Sequence, residues 1–255
     1  FAPPLSSAIL SGIISKAYIF VMIKFFYRVV GMELIISQQV HQFLFICGVA
    51  GMIIASVLAI SQRDIRRMIA YSSVAQIGYV YMGLGMGNTA GVEAAVFQML
   101  VHATVKSVLF LSTYELINVS GDRKRFRYLH GAGYRNVPAG IVFTFAAMSM
   151  VGIPFTGGFI VKLNLAISGM AFGGWVRALV LIALAMSTLL NAVYFLHTVV
   201  SIYRRPTQEL VYPAVDPMPR YAAAAMLASL LLIVYLGVGS EPILQVIETG
   251  LKTFS

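Results

Sequence analysis

Eight long apolar runs constrain this chain more than any other feature of it. They cover about 5–25, 40–60, 68–87, 92–117, 137–153, 155–172, 176–202 and 221–240. A helix crossing a bilayer needs roughly 17–25 mostly apolar residues, and every run reaches that length. The runs are too long and continuous for the alternating strands of a barrel, so the reading is helix. Composition agrees: of 255 residues 59% are hydrophobic and 11% charged, with a mean hydropathy of +0.86. A soluble domain carries about a quarter charged residues, so the missing solvent is lipid. Disorder, a secreted disulfide scaffold and a soluble single-core enzyme are excluded. The single cysteine, Cys47, lies in an apolar run and reads as packing.

The net charge of +9 does not indicate nucleic acid, because there is no basic stripe interleaved with aromatics. Fifteen of the 18 basic residues lie in connectors or at segment ends. Counting them by connector sets ten on the side of 61–67, 118–136, Arg177 and Lys252 against five on the other. The positive-inside rule places the first set in the cytoplasm. No connector is long or polar enough to separate soluble domains, so residues 1–255 read as one helical membrane unit. There is no signal peptide pattern. A chain opening Phe1-Ala2-Pro3-Pro4 straight into a membrane segment reads as one whose first helices are missing or lie on another chain.

Three basic residues do not fit the connector pattern. Lys16, Lys106 and Lys162 fall near the midpoints of their runs. A mid-helix lysine costs about 2.5–3.5 kcal/mol on the insertion scale, so three cost roughly 8–10 kcal/mol if additive. Pairing with local acids would offset this, but the acids are elsewhere. Glu33, Asp64, Asp122, Glu209, Asp216, Glu241 and Glu248 are in connectors or the tail, and Glu93 and Glu115 lie toward helix ends. The lysines are therefore read as functional, with a partner acid supplied from outside this sequence. His102 stands four residues before Lys106, one turn away on the same helix face. An amine and an imidazole so placed can exchange a proton, which is what a relay requires. His41, among Gln38, Gln39 and Gln42 at the mouth of the second run, is read as either a relay or an interface residue, and Asn191 and His197 as structural.

Two runs carry helix-breaking residues. Pro3, Pro4 and Gly12 precede Lys16, and Pro154, Gly157 and Gly158 precede Lys162. Broken helices at corresponding places in two halves are a sequence pointer to an ion site in transporters built of repeats. The expectation is local unwinding beside both lysines. There is no Gly-rich phosphate loop, HExxH, CxxC or triad context, so no catalytic residue, metal site or cofactor is expected.

The residues also carry a resemblance. Ala2-Pro3-Pro4 followed by Ser11-Gly12-Ile13-Ile14-Ser15-Lys16 resembles the broken seventh helix of the antiporter-like subunits shared by respiratory complex I, Mrp-type Na⁺/H⁺ antiporters and membrane-bound hydrogenases. The stretch from Asp64-Ile65-Arg66-Arg67 to Ala70-Tyr71-Ser72-Ser73 and Gln76-Ile77-Gly78-Tyr79 is similar to their D-I-K-R-x-x-A-Y-S-S-x-x-Q-x-G-Y signature, with Arg66 for the usual lysine. His102-Ala103-Thr104-Val105-Lys106 resembles their tenth helix. Gly152-Ile153-Pro154 through Gly158-Phe159-Ile160-Val161-Lys162 resembles their twelfth, with Phe155 for the second proline.

That resemblance implies an all-α membrane fold: helices seven to fourteen, two of them broken, of a fourteen-helix inverted-repeat architecture. It implies that Lys16, Lys106 and Lys162 belong to half-channels and the link between them. The fifth-helix glutamate that pairs with the first lysine in this family is not in the chain. The expected function is a proton-translocating subunit of a redox-driven complex, working through a Lys16, His102, Lys106 and Lys162 relay. The alternatives are an Mrp-type Na⁺/H⁺ subunit and a non-transporting membrane anchor. Expected partners are other membrane subunits, including the one carrying that glutamate, together with lipids, H⁺ and, in the Mrp alternative, Na⁺. The expected location is an energy-coupling membrane: a bacterial or archaeal inner membrane or an organelle equivalent.

Overall fold

The structure, a computed structural model, describes residues 4–206 and 218–253. Pro3 and the proline-rich stretch 207–217 lie outside the described residues. All eight apolar runs are helical. The first is composite: α1 (Pro4–Ile9), a π-helical turn (Leu10–Ile14), α2 (Ser15–Phe25) and a second π turn (Phe26–Val30), ended by Gly31 at φ 84°. Next come the short α3 (Met32–Ser37), α4 (Val40–Ile60), α5 (Ile65–Gly85) and α6 (Thr89–Asn118). After a 3₁₀ turn (Phe126–Tyr128) follow α7 (Ala132–Arg135), α8 (Val137–Val151), α9 (Gly157–Met170), α10 (Gly174–Tyr203), α11 (Arg220–Val238) and α12 (Glu241–Lys252).

The boundaries follow from local chemistry. Asp64 Oδ1 accepts from the backbone N–H of Arg66 (2.9 Å) and starts α5, and Asn88 Oδ1 accepts from Gly91 N–H (2.8 Å) and starts α6. Asn136 does the same for α8 through Ala139 N–H, with Pro138 in the first turn where it costs no hydrogen bond. Gly152, at φ 90°, ends α8 in the left-handed conformation.

Ser6–Val30, α4, α6, α10 and α11 are long and apolar enough to cross a membrane, and α8 and α9 are shorter apolar helices. The chain is an integral membrane protein. Helix α6 is the centre of the packing, touching α1, α5, α8, α9, α11 and α12, while α10 lies against α4, α8 and α9. Helices α4 and α5 make the most extensive pair. Their backbones touch: a Cβ on Gly48 would meet Met82 N at 2.4 Å, and one on Gly78 would meet Gly48 O at 2.7 Å. Small residues permit this approach in lipid, where packing rather than water drives association. The connectors 61–67 and 118–136 are also paired, through an antiparallel bridge between Asp64 and Arg125 in which Ile65 N–H donates to Lys124 O (3.1 Å) and Phe126 N–H to Arg63 O (3.2 Å).

Helix α12 is absent from the sequence reading. It is amphipathic, setting Ile243, Leu244, Ile247 and Leu251 against the core and Glu248 and Lys252 outward. Its polar half dilutes the hydropathy by which the other segments were recognised.

Candidate functional site

Lys16 follows the first π turn and is buried. Its Nζ donates to the Ser11 carbonyl inside that turn and to Ser15 Oγ (3.3 Å), and is hydrogen-bonded with His102 Nδ1. An ammonium has three N–H donors, and these are three acceptors. With Lys16 charged, Nδ1 is the accepting nitrogen of His102 and the ring proton is on Nε2. That Nε2 is buried without a hydrogen-bond partner among the described residues.

One turn along α6, Lys106 is fully buried and donates to Ile69 O (3.1 Å) and Ser72 Oγ, with its Nζ 5.7 Å from the centre of the Phe195 ring. The Ile69 carbonyl also accepts from Ser72 Oγ (2.8 Å) and Ser73 Oγ (3.1 Å), and Ser11 Oγ donates to Ser73 Oγ (3.0 Å). Lys16 is thus hydrogen-bonded to His102, with Lys106 one turn further along α6, while Ser11 Oγ, Ser73 Oγ and the Ile69 carbonyl link the first helix across α5 to Lys106.

Lys162, in the second turn of α9, reaches back over the break between α8 and α9. Its Nζ donates to Val151 O and Met150 O (3.4 Å), carbonyls at the end of α8. Gly152 makes room, since a Cβ there would lie 3.0 Å from Lys162 Cδ. The same Nζ lies 5.7 Å from the centre of the Tyr79 ring. The Tyr79 hydroxyl donates to Ser187 Oγ (2.9 Å) and accepts from Asn191 Nδ2 (3.3 Å). Asn191 Oδ1 accepts from Tyr194 OH (2.5 Å) and Ser56 Oγ (3.4 Å). Between the two ends, Gln98 Nε2 on α6 donates to Gln76 Oε1 on α5 (2.8 Å), and both amides are buried.

Helix α5 thus presents Ser72 and Ser73, Gln76 and Tyr79 at one-turn spacing beside the lysines. The sequence reading quoted these residues within a motif and gave none of them a role. The signal was present in that spacing, polar side chains every three or four positions in an otherwise apolar run.

The break residues are placed as follows. Gly12 is buried inside the π turn, where a Cβ would meet Ser107 Oγ at 2.8 Å. The chain there is not unwound; Ser15 N–H bonds to Leu10 O, a widened turn. Pro154 lies in the 152–156 break. Gly157 and Gly158 are the first two residues of α9, and a Cβ on Gly158 would collide with Ser149 O at 1.8 Å. Lys162 itself stands on unbroken helix. His41 sits in the first turn of α4 against Gly87, and no hydrogen bond joins it to the lysines among the described residues. None of the three lysines is hydrogen-bonded to a carboxylate, and no group of three or more His, Cys, Asp or Glu could hold a metal, among the described residues.

Comparison with known proteins gives this row its context. The NADH-quinone oxidoreductase subunit N of Desulforudis audaxviator is 36% identical over 194 residues, covering 74% of this chain and 38% of its own. Subunit M of the same enzyme from Rickettsia felis is 30% identical over 258 residues, covering 99% of this chain and 50% of its own. Among solved structures, a chain of the archaeal membrane-bound sulfane sulfur reductase superposes with a TM-score of 0.82 at 25% identity, over 98% of this chain and 49% of that one. The chain spans half or less of the length of these relatives. The sequence profile of the NADH:quinone oxidoreductase/Mrp antiporter transmembrane family matches residues 1–191, and the chain belongs to that family.

Proposed function

We propose that this chain is part of a proton-translocating, antiporter-like subunit of a redox-driven membrane complex. It moves protons along Lys16, His102, Lys106 and Lys162 and performs no other chemistry. The carrying observation is the hydrogen bond between Lys16 and His102, with Lys106 one turn beyond on α6. Three amines within apolar helices, Lys16 and Lys106 buried and Lys162 partly so, are costly in lipid and persist where an ion path uses them.

Each residue has a task in this reading. Lys16 holds a proton against the Ser11 carbonyl and offers it to His102 Nδ1. His102, a donor at one nitrogen and an acceptor at the other, can pass a proton on by exchanging which nitrogen carries it. Lys106 receives it and is held against Ile69 O and Ser72 Oγ. Gln76 and Tyr79 keep the face of α5 toward Lys162 polar, the Gln76–Gln98 pair and the Tyr79 ring lying along that face. The driving charge comes from a carboxylate on a partner segment, the fifth-helix glutamate that the family resemblance implies. Other membrane subunits of the complex supply the redox energy.

The test is Lys106→Met in the complete complex reconstituted into vesicles, compared with Lys24→Met. Methionine lowers the cost of burial, so assembly should persist while proton pumping falls at least about tenfold. Normal pumping by assembled Lys106→Met would refute the relay. Because the family includes Mrp antiporters, pumping should also be followed with and without Na⁺; strict Na⁺ dependence would assign the second reading.

A further inference from the structure

At the start of α5, the paired connectors form a groove of 690 Å³, lined also by Ser7 and Ala70, that includes Arg63, Arg66, Arg67, Lys124 and Arg125. Its one carboxylate, Asp64, is engaged at the start of α5 through the Arg66 N–H. The bridge between Asp64 and Arg125 builds the groove by bringing the cations of two connectors, some 60 residues apart, to one place. Guanidinium forks match phosphate oxygens in pairs, and several around one groove suit a phosphate ester.

A second feature adjoins it. Arg67 and Ala70 also line a shallow groove of 250 Å³ whose other walls are Tyr71 and Val74. These four residues stand at positions i, i+3, i+4 and i+7, a single stripe along the outside of α5. Val74 is 51% exposed. The stripe therefore begins at the cations and becomes apolar along α5.

We infer that this is a binding site for an anionic glycerophospholipid, its phosphate among Arg63, Lys124 and Arg125 and one acyl chain along Ala70 and Val74. Clustered Lys and Arg at the membrane boundary are what anionic headgroups recognise. A soluble acidic segment would satisfy the cations but not the apolar stripe below them, and a partner helix on the stripe is the outcome that the photoreactive side chain at position 74 detects. A free phosphate would likewise leave Ala70 and Val74 without an occupant.

The test uses the detergent-extracted protein with its co-purifying subunits, titrated with phosphatidylglycerol or phosphatidylcholine and weighed intact by native mass spectrometry. The parental protein should retain phosphatidylglycerol and release phosphatidylcholine. The double variant Arg63→Gln/Arg125→Gln and the variant Val74→Asp should each lower retention at least fivefold, whereas Arg220→Gln should not. Glycerophosphoglycerol, the headgroup without tails, should not displace the lipid. Should the variants fail to assemble, phosphatidylglycerol with a photoreactive acyl chain should crosslink to residues 70–74 of the unmodified protein. Equal retention of both lipids, unchanged retention in the variants, displacement by inorganic phosphate, or crosslinks elsewhere would each overturn the assignment. A photoreactive side chain at position 74 that captured protein instead of lipid would do the same.

Discussion

Lys16 Nζ and His102 Nδ1 share a hydrogen bond from α2 to α6, although both side chains are bases and neither is hydrogen-bonded to a carboxylate among the described residues. Such a contact works only if one partner accepts. A glutamine at 102 can keep an acceptor for Lys16 but cannot carry a proton between two ring nitrogens. His102→Gln should therefore assemble and pump at least about tenfold more slowly. Proton uptake by reconstituted vesicles at equal redox turnover measures this, and a parental rate would remove His102 from the path.

Tyr79→Phe separates the ring from its hydroxyl. The ring beneath Lys162 remains, while Ser187 and Asn191 lose their shared partner. Leaving buried polar groups unpaired costs about 1–3 kcal/mol. A lower unfolding temperature in detergent is expected, together with slower pumping if the hydroxyl is a step toward Lys162. Unchanged values in both assays would reduce Tyr79 to packing.

Gly78→Ala should disrupt the pairing of α4 with α5, because the added methyl would press on the backbone of Gly48 and Met52. Overpacking of this kind costs about 1–3 kcal/mol, more where backbone must move. Gly250→Ala on α12 has nothing within 4 Å of the new carbon and is the matched control. Yield and thermal stability of the two variants should diverge sharply.

Outside the membrane, His130 in the 118–136 connector carries a pH dependence. Partial burial, then the charges of Arg204 and His197, hold its imidazole below the ordinary 6.5. The unfolded chain therefore binds this proton at higher pH than the folded one. Stability is full above about pH 6.5 and is lost as pH falls toward the lower folded value. His130→Gln should flatten this part of the stability profile, measured as unfolding temperature between pH 8 and 5 in steps of about half a unit.

The eight helical runs were legible because apolar length is a sufficient signal in lipid, and the three lysines because their burial is so costly. His102 was legible through its spacing from Lys106. Tyr79 and Gln76 were given no role and Asn191 a structural one, because uncharged polar side chains enter membrane helices at modest cost and acquire meaning only from what they meet. Tyr79 meets Ser187 and Asn191, more than a hundred residues away. The groove between the connectors was hidden for a similar reason: each connector looked like an ordinary positive-inside loop until a two-residue bridge paired them.

The π turn ahead of Lys16 is equivalent to an α-helix with one residue inserted. At 3.6 residues per turn, each residue advances the helix by about 100°. Removing one residue from Leu10–Ile14 would restore regular winding and rotate α2 against α1 by about that angle, swinging Lys16 away from His102 while changing no residue of the row. The turn is thus a phase setting, and the azimuth of one lysine depends on the count of residues before it.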